Sequence, residues 1–449
     1  MSDNTKKRQT TLLDSTPASE DHHQALAKEA DSETEERPDF RKVKQLGWLP
    51  SDWTLTPLLK AVDIASGQVD PKKEPYISMV LVAPDHVESG TGRLLKRVTA
   101  GEQGASSGKY LFNSGDIVYC KIRPYLRKAT LVDFDGLCSA DMYPLRAKES
   151  VSPGFILGVL LGERFSAFAE SVSVRSGIPK INRVELAEYI VALPPYREQR
   201  KIALILGAWD EALAQLDALI AMKEQRLRGL AQRMLTGEVR LPAYADEAWH
   251  VVKLGQVFRQ RKECNRGDLP LLSVSGEHGI VRQDTLDRRD ISASDKSNYL
   301  RVAPGDIAYN TMRMWQGVSA VSSEDGIVSP AYTVCVAKKG IDVRFAAHLF
   351  KSPTVVHRFL RYSQGLVSDT LNLKFSSFKQ IELTIPKSVD EQKEIANVLD
   401  AATAELELRR HERTVLLKQK KGLMHRLITG EVRVKLRSMN RDIQTSVAS

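Results

Sequence analysis

The stretch that decides the fold is REQRKIA at residues 197–203, because it returns as DEQKEIA at residues 390–396. The two copies lie 193 residues apart (390 minus 197). A second pair, LTGEVR at residues 235–240 and ITGEVR at residues 428–433, has the same separation. A segment whose beginning and end both recur at one offset has a defined length. The repeat therefore predicts an element that holds other parts of the chain at a set distance.

Between these signals, apolar residues recur in alternating steps of four and three, which is typical of a coiled-coil seam. The first copy has Lys223 at one seam position and apolar residues at Ile202, Leu206, Trp209, Leu213, Leu216, Ile220, Leu227, Leu230 and Met234. The second copy has Ile395, Leu399, Ala402, Leu406, Leu416, Leu423 and Leu427. Its seam is interrupted at Arg409, Arg413 and Lys420. We expect the apolar stripe to shift there to Leu408 and Val415.

The ends of the two segments also predict helices. Pro194 and Pro195 suit a helix entrance, and Ser388 with Glu391 three residues later matches a capping box. Gly237 and Gly430 stand where a helix end needs a left-handed residue. Each helix is then about 38 residues, or roughly 57 Å long. Two unrelated amphipathic helices are the alternative, but two helices in one chain can bury each other's seams as an antiparallel coiled coil.

The regions outside the helices repeat more weakly. A Gly-Asp-Ile turn occurs at residues 115–117 and again at residues 305–307. The order is therefore globular unit, helix, globular unit, helix, with globular units of about 140 residues, a normal domain size. The predicted fold class is α+β, with two mixed α/β domains, two long antiparallel helices and a quasi-twofold internal repeat. The predicted segments are residues 1–44 (disordered extension), 45–195 (first domain), 196–241 (first helix), 242–387 (second domain), 388–436 (second helix) and 437–449 (tail).

Composition limits the functional class. The chain carries a net charge of +9, while its first 37 residues carry nine acids and five bases. Subtracting that −4 leaves +13 on the remainder, which favours a nucleic-acid partner over a merely basic soluble protein. The four cysteines show no zinc or disulfide spacing. With no signal-peptide core and no long apolar span, we expect a cytoplasmic protein without a membrane association.

Two loops follow the Gly-Asp-Ile turns and differ in chemistry although their flanks agree. The first is basic and the second contains amide side chains, so the two loops predict contacts to different bases on a common frame. Glycine-containing loops before each helix and a basic segment near residue 260 are weaker candidates, and ordinary solvated loops remain the alternative. The candidate DNA-contacting residues are Lys121, Arg123, Tyr125, Arg127, Lys128, Arg175, Lys180, Arg259, Arg261, Lys262, Asn310, Arg313, Trp315 and Gln316.

Catalytic patterns are missing from the sequence. It contains no phosphate-binding Gly-x-x-x-x-Gly-Lys-Ser/Thr loop, no metal-ligand spacing and no triad pattern among its nine histidines. We therefore expect no catalytic residues, no metal and no cofactor, although an enzyme with unrecognised chemistry is an alternative.

Together these signals resemble the specificity subunit of type I restriction–modification systems over roughly residues 45–436. The features that carry the resemblance are the two Pro-then-Glu-Gln helix starts (195–199 and 386–392), the two Thr-Gly-Glu-Val ends and the two Gly-Asp-Ile turns. The resemblance implies that each globular unit is a target-recognition domain reading one half of a split double-stranded DNA sequence. It also implies that the helices separate these domains and dock two adenine methyltransferase subunits.

Two ATP-driven motor–nuclease subunits would complete such a restriction complex, and the specificity subunit would itself carry no catalysis. Two other readings stay open. One is an orphan specificity protein that works without a motor subunit. The other is a coiled-coil scaffold that binds only protein and shows no salt-dependent DNA affinity.

Overall fold

The computed structural model describes residues 39–44, 46–173, 177–275, 279–285, 295–366 and 370–435. The chain forms two compact units that are not continuous in sequence. Unit 1 comprises residues 1–211 and 418–449, and unit 2 comprises residues 212–417. Each unit therefore contains one globular region with part of both long helices, whereas the sequence predicted a linear succession of domains and helices.

Two long helices dominate the helical content of the described residues. The helices are α1 (Leu58–Ala61), α2 (Pro153–Leu161), α3 (Glu163–Val172), α4 (Arg183–Glu188), α5 (Tyr196–Leu235), α6 (Leu254–Val257), α7 (Val343–Leu349), α8 (Pro353–Tyr362), α9 (Phe375–Phe378) and α10 (Val389–Ile428). Short 3-10 helices occupy Tyr76–Ser78, Pro84–His86, Pro124–Leu126, Pro242–Tyr244, Gln283–Thr285 and Met314–Gln316.

Unit 1 contains thirteen of the described strands, arranged mainly in two sheets. They are β1 (Phe40–Val43), β2 (Gly47–Pro50), β3 (Thr54–Pro57), β4 (Val62–Ile64), β5 (Gln68–Val69), β6 (Val80–Val82), β7 (Val98–Thr99), β8 (Lys109–Phe112), β9 (Ile117–Cys120), β10 (Ala129–Leu131), β11 (Gly136–Cys138), β12 (Met142–Ala147) and β13 (Ile190–Leu193). One sheet has the order β10-β9-β12-β4 and the other β5-β8-β11-β6-β7, while β1 pairs with β2 and β13 with β3.

Unit 2 repeats the first of these sheets with the equivalent strands in the same arrangement. Its described strands are β14 (Trp249–Lys253), β15 (Phe258–Gln260), β16 (Leu272–Ser275), β17 (Gly279–Arg282), β18 (Leu300–Val302), β19 (Ile307–Asn310), β20 (Ser319–Val321), β21 (Gly326–Val328), β22 (Tyr332–Ala337) and β23 (Glu382–Pro386). The four-stranded sheet runs β15-β22-β19-β20, and the pairs are β14-β23, β16-β17 and β18-β21. The internal repeat is therefore confirmed at the level of strand order.

The repeated Gly-Asp-Ile turn has a structural role. Asp116 and Asp306 are buried, and each carboxylate accepts a hydrogen bond from a backbone N–H three residues earlier. Each also forms a two-point ion pair with an arginine, Arg146 for Asp116 and Arg261 for Asp306. A buried carboxylate needs such partners because an unpaired buried charge is costly. The turn therefore anchors the start of β9 and β19, the strands that lead into the two loops of different chemistry.

The two long helices pack antiparallel, as predicted. In unit 2, Asp217 of α5 pairs with Arg413 of α10, and Lys223 pairs with Glu405, so residue numbers rise along one helix as they fall along the other. Each helix has 40 residues. They end at Leu235 and Ile428, inside the predicted segments 196–241 and 388–436 and two residues before Gly237 and Gly430, which both adopt φ +77. That left-handed conformation at a helix end was predicted and is confirmed.

The predicted course of the second seam is wrong. Leu408 is 59% exposed and Val415 is 40% exposed, so the apolar stripe does not shift to them. Arg413 and Lys420 stay in the seam instead, and each forms an ion pair with an aspartate of α5. A charged side chain at a seam position is tolerated when the facing helix supplies the opposite charge.

The Glu-Gln pair at each helix start does more than cap the helix. Ser388 accepts a hydrogen bond from the Glu391 N–H at 3.4 Å, but the Glu391 side chain bonds elsewhere. It accepts from Arg240 Nε at 2.9 Å and from Trp249 Nε1 at 3.2 Å. The predicted capping box is therefore only half formed, because a buried carboxylate gains more from an arginine than from a backbone amide.

In unit 1 the same type of arginine–glutamate pair lies at the start of α5. Arg433 donates to Glu198 through Nε at 2.8 Å and also contacts Asp52. The arginine that ends each repeated motif thus pairs with the glutamate that starts the other helix. The neighbouring glutamines join the helix start to the globular region: Gln199 accepts from the Ser152 N–H at 2.9 Å. Gln392 accepts in the same way from the Asp342 N–H.

The N-terminal prediction needs a correction at its boundary. Strand β1 lies inside the segment 1–44 that was predicted to be disordered, and β1 pairs with β2 along four residue pairs. Leu49 of β2 is fully buried in the unit 1 core, so this hairpin belongs to the globular fold. Residues 1–38 and the predicted tail 437–449 lie outside the described residues.

Candidate nucleic-acid interface

The loop that follows β9 is joined to the loop that precedes α4. Ile122 forms a bridge with Lys180, the Arg123 N–H donates to the Pro179 carbonyl at 2.8 Å, and the Ile181 N–H donates to the Lys121 carbonyl at 2.9 Å. Two candidate segments that are separated in sequence therefore form one surface. Arg175, another candidate, lies outside the described residues.

Arg123 and Tyr125 are the most accessible candidates in the loop after β9. A 3-10 turn at Pro124–Leu126 lies between two left-handed residues, Arg123 with φ 49 and Arg127 with φ 47. This conformation is unusual for residues with a side chain and often marks functional loops. Pro124 is buried and anchors the turn, whereas Arg123 is exposed and Tyr125 is 53% exposed. The turn therefore presents a guanidinium group and an aromatic ring to solvent.

The other basic candidates of this loop are held by the protein. Arg127 donates from Nε to Ser166 Oγ at 3.0 Å, and Lys128 donates from Nζ to the Pro84 carbonyl at 2.6 Å. The ammonium group of Lys121 lies 4.9 Å from the centre of the Tyr143 ring, a cation–π distance. These contacts position the loop, so the charges most available to a ligand are those of Arg123 and Lys180.

Sequence reasoning missed Arg183, which is exposed beside this surface. Its guanidinium carbon lies 5.7 Å from the centre of the Tyr143 ring, so the aromatic ring restricts where the charge can lie. Burial raises the pKa of the Tyr143 hydroxyl. No repeated motif marks either residue, and only the neighbouring Asn182, which caps α4, gave a local signal.

The loop after β19 in unit 2 has a different construction on the same frame. Asn310 Oδ1 accepts from the Met312 N–H at 3.0 Å, and Trp315 Nε1 donates to the Met312 carbonyl at 3.0 Å. The amide oxygen of Asn310 and the indole N–H are therefore engaged within the loop. Arg313 and Gln316 are exposed. The available polar groups of this loop are thus a guanidinium and a carboxamide.

This loop also contacts the segment before the following helix, as in unit 1. The Leu373 N–H donates to the Thr311 carbonyl at 2.8 Å. Beside this contact lies an open cleft of about 420 Å³. Its wall includes Tyr332, Asn372 and Lys374, and Asn372 Oδ1 is buried without a hydrogen-bond partner among the described residues.

The basic segment near residue 260 divides into two kinds of residue. Arg261 is mostly buried and paired with Asp306, so its role is structural. Arg259 and Lys262 are exposed. Nearby, Arg301 pairs with Glu263 at 3.0 Å and with Asp325 at 2.7 Å. This network neutralises much of the local charge, so the segment is a weaker DNA-binding candidate than the two loops.

Other kinds of site find no support in the part of the chain that the structure describes. There, no cluster of three or more histidine, cysteine or acidic side chains is arranged to hold a metal ion. None of the helices described is both long and apolar enough to cross a membrane.

Comparison with known proteins identifies the family. The model of the type I restriction modification DNA specificity domain matches residues 62–223 and again residues 246–418. These two matches cover well over half of the chain, one in each half of the internal repeat. The chain belongs to this family. The predicted resemblance is thereby confirmed, as is the presence of two recognition domains.

Individual specificity-domain relatives agree with this assignment. The chain is 34% identical over 200 residues to the type I restriction enzyme EcoDI specificity subunit of Escherichia coli, covering 44% of each chain. It is 24% identical to the MjaVIII specificity subunit of Methanocaldococcus jannaschii over 67% of this chain and 75% of the relative. The match to the E. coli protein thus spans less than half of that relative's length.

Solved structures share the fold. A chain from a structure of a type I R-M system, solved to explain complex assembly and conformational transition, has a TM-score of 0.54 and 20% identity over 86% of this chain and 99% of its own. The type I restriction-modification system S subunit from M. genitalium has a TM-score of 0.52 and 15% identity, over 86% of this chain and 96% of its own.

Proposed function

We propose that this protein is the DNA specificity subunit of a type I restriction–modification complex. Each unit reads one half of a two-part double-stranded DNA sequence. Two adenine methyltransferase subunits dock on the helical frame, and two ATP-driven motor–nuclease subunits complete the complex. The specificity subunit supplies recognition and geometry but no catalytic step.

The observation that carries the proposal is one framework bearing two different loops. In both units the buried aspartate of the Gly-Asp-Ile turn anchors a central strand, and the strand leads into a loop tied to the segment before a short helix. In unit 1 the accessible side chains include Arg123, Lys180 and Arg183, whereas in the unit 2 loop they include Arg313 and Gln316. Arginine pairs with guanine edges and phosphates, and glutamine pairs with adenine. A common frame with different contacts suits the reading of two different DNA words.

The helices suit the role of a spacer. Each extends over 40 residues, which is about 60 Å at 1.5 Å per residue. One turn of B-DNA is about 34 Å, so helices of this length can set the number of unread base pairs between two half-sites. The buried arginine–glutamate pairs at the helix ends keep each globular region attached to the frame.

Paired alanine substitutions test the reading surfaces. We expect Arg123→Ala to relax one half-site and Arg313→Ala to relax the other, each by about 1–3 kcal/mol at the contacted position. The measurement is single-molecule mapping of methylated adenines with cognate methyltransferase subunits present. Arg97→Ala is a matched control, because Arg97 is an exposed arginine paired with Asp133. Loss of the same half-site in both variants, or no change in either, would contradict the proposal.

A matched insertion tests the spacer. Seven residues inserted after Ala214 of α5 and seven after Thr414 of α10 preserve the seam repeat. They lengthen the helix pair by about 10.5 Å, so the unread gap should grow by about three base pairs. The same methylation map reports the gap. An unchanged gap in a folded variant would show that the helices do not set the spacing.

A further inference from the structure

Ion pairs join α5 to α10 within each unit. In unit 2, Lys223 contacts Glu405 at 2.6 Å and Glu224 contacts Arg410 at 2.6 Å. Asp217 also pairs there with Arg413. In unit 1, Asp210 pairs with Lys420. Three of these four pairs have the same polarity, with the acid on α5 and the base on α10.

The acids of α5 recur with a heptad spacing. Asp210, Asp217 and Glu224 are seven residues apart, so they lie along one stripe beside the apolar seam. Their partners on α10 include Arg413 and Lys420, which are also seven residues apart and occupy seam positions. The apolar seam is thus accompanied by an acidic stripe on one helix and a basic stripe on the other.

The internal repeat does not reproduce this charge pattern. At the offset of 193 residues, Asp217 corresponds to Arg410 and Asp210 to Thr403. In the opposite direction, Arg413 corresponds to Ile220 and Lys420 to Leu227, both apolar. The starts and ends of the helices are duplicated, whereas the facing charges are different on the two copies.

Like charges face each other when each helix is placed opposite a second copy of itself in the register of the α5–α10 pair. Because Asp217 corresponds to Arg410, two α10 helices would place Arg413 opposite Arg410 of the other copy. For the same reason, two α5 helices would place Glu224 opposite Asp217 of the other copy. Like charges facing each other destabilise a helix pair, and opposite charges stabilise it. Both self-pairings therefore meet repulsion that the α5–α10 pair does not.

Burial makes this discrimination stronger at one position. Lys420 is only 4% exposed, and its Nζ also approaches the Thr91 carbonyl at 3.4 Å. The Asp210 side chain is 46% exposed, so the buried partner of this pair is Lys420. Opposite a second α10, Lys420 would face Thr403, which offers no negative charge. A buried cation without an anion is strongly destabilising.

We propose that these charges reject pairing of α5 with α5 and of α10 with α10 of a second chain, so that α5 pairs with α10. Each helix pair then carries two different recognition units. Pairing between identical helices of two chains would instead place two identical units on one frame. That consequence for DNA rests on the proposed function, but the pairing preference does not, and it is measured without DNA.

The sharpest test exchanges one ion pair. The double variant Asp217→Arg/Arg413→Asp keeps the composition, the net charge and an α5–α10 pair of opposite charge. At these positions it also converts the contact in both self-pairings from repulsive to attractive. Arg413→Asp places an anion opposite Arg410 of the other copy, and Asp217→Arg places a cation opposite Glu224 of the other copy.

The full-length double variant should keep its helical circular dichroism but form dimers in which identical helices of two chains pair with each other. We expect the dimer-to-monomer ratio to rise at least about tenfold over wild type, or about 1.4 kcal/mol in pairing free energy. Light scattering after size-exclusion chromatography measures the ratio, with wild type expected at the mass of one chain, 50.1 kDa. The matched control is Asp390→Lys/Lys393→Asp, which exchanges an exposed ion pair within α10 and should leave the mass unchanged.

Two results would overturn the proposal: a folded Asp217→Arg/Arg413→Asp variant that stays as monomeric as wild type, or a control variant that dimerises equally. If the exchange variant does not fold, Arg413→Ile/Lys420→Leu gives the second test. It installs the α5 residues at the equivalent positions of α10 and so removes the repulsion between two α10 helices. A folded monomer would again overturn the proposal.

Discussion

Substitution of Arg240 by methionine tests the attachment of the helix start in unit 2. Glu391 is 1% exposed and Arg240 is 20% exposed, and the guanidinium makes two hydrogen bonds to the carboxylate at 2.9 and 3.2 Å. Arg240→Met keeps much of the side-chain volume but leaves a buried carboxylate without its cation. Such a loss costs about 3–5 kcal/mol. Because Arg240 keeps some access to water, we expect the lower end, about 3 kcal/mol.

Hydrogen exchange measured by mass spectrometry resolves this effect by region. Peptides covering residues 241–257 and 382–399 should exchange about 150-fold faster in Arg240→Met, since about 1.4 kcal/mol corresponds to a factor of ten. Peptides around Ile202 in unit 1 serve as an internal reference. Arg233→Met is the matched control, because Arg233 is 58% exposed and its ion pair with Glu238 is a surface contact. It should change the opening free energy by no more than about 0.5 kcal/mol.

A double-mutant cycle decides whether the pair itself is responsible. Glu391→Gln retains an oxygen that can accept from Trp249 Nε1 but removes the buried charge. The cost of Arg240→Met should therefore shrink by about 1–3 kcal/mol in the Glu391→Gln background. If the cost is the same in both backgrounds, or if Arg240→Met accelerates exchange less than about threefold, the buried pair does not hold the helix start and our reasoning is wrong.

Three further predictions concern a helix end, a thiol and a carboxyl group. A β-carbon at Gly430 would lie 2.6 Å from a proline ring atom, whereas one at Gly237 would have its nearest contact at 3.5 Å. Gly237→Ala should therefore lower the free energy of unfolding by roughly 1–3 kcal/mol, the cost of left-handed strain alone. Gly430→Ala should lower it further, and urea unfolding measures both losses. Cys264 is exposed while the other three thiols are buried, so a thiol reagent should label one cysteine rapidly in the folded protein and all four after unfolding. Hydrogen bonds from Arg301 lower the pKa of Glu263, so Arg301→Met should raise that pKa in an NMR titration. The pair stabilises the folded protein at neutral pH, and this stabilisation is lost as the pH falls through the lowered pKa.

Local sequence patterns predicted the features that depend on local physics. The alternating steps of four and three place Ile202 and Ile395 on the buried side of each helix, and both are buried. The glycines at residues 237 and 430 end the helices because a left-handed residue is needed there, whatever lies around it. The repeat itself revealed that two similar units exist, since a duplicated start, stop and turn rarely arise independently.

Contacts between distant parts of the chain were the source of the errors. The charged residues of the second seam were expected to displace the apolar stripe, because Arg413 and Lys420 are unfavourable in an apolar seam when considered alone. They stay there because Asp217 and Asp210 of the other helix meet them. In the same way, the side chain of Glu391 was expected to cap its own helix. It instead accepts a hydrogen bond from Arg240, which precedes it by 151 residues.

By itself the sequence determined that the chain is duplicated, that it contains two long helices with apolar seams, and where those helices end. Only the tertiary structure decided which charged residues face each other, which basic loop residues stay accessible, and which segments combine into each unit. The physical reason is the range of the interactions. Helix periodicity and glycine turns depend on neighbouring residues, whereas the environment of a charge depends on whichever distant group the fold places beside it.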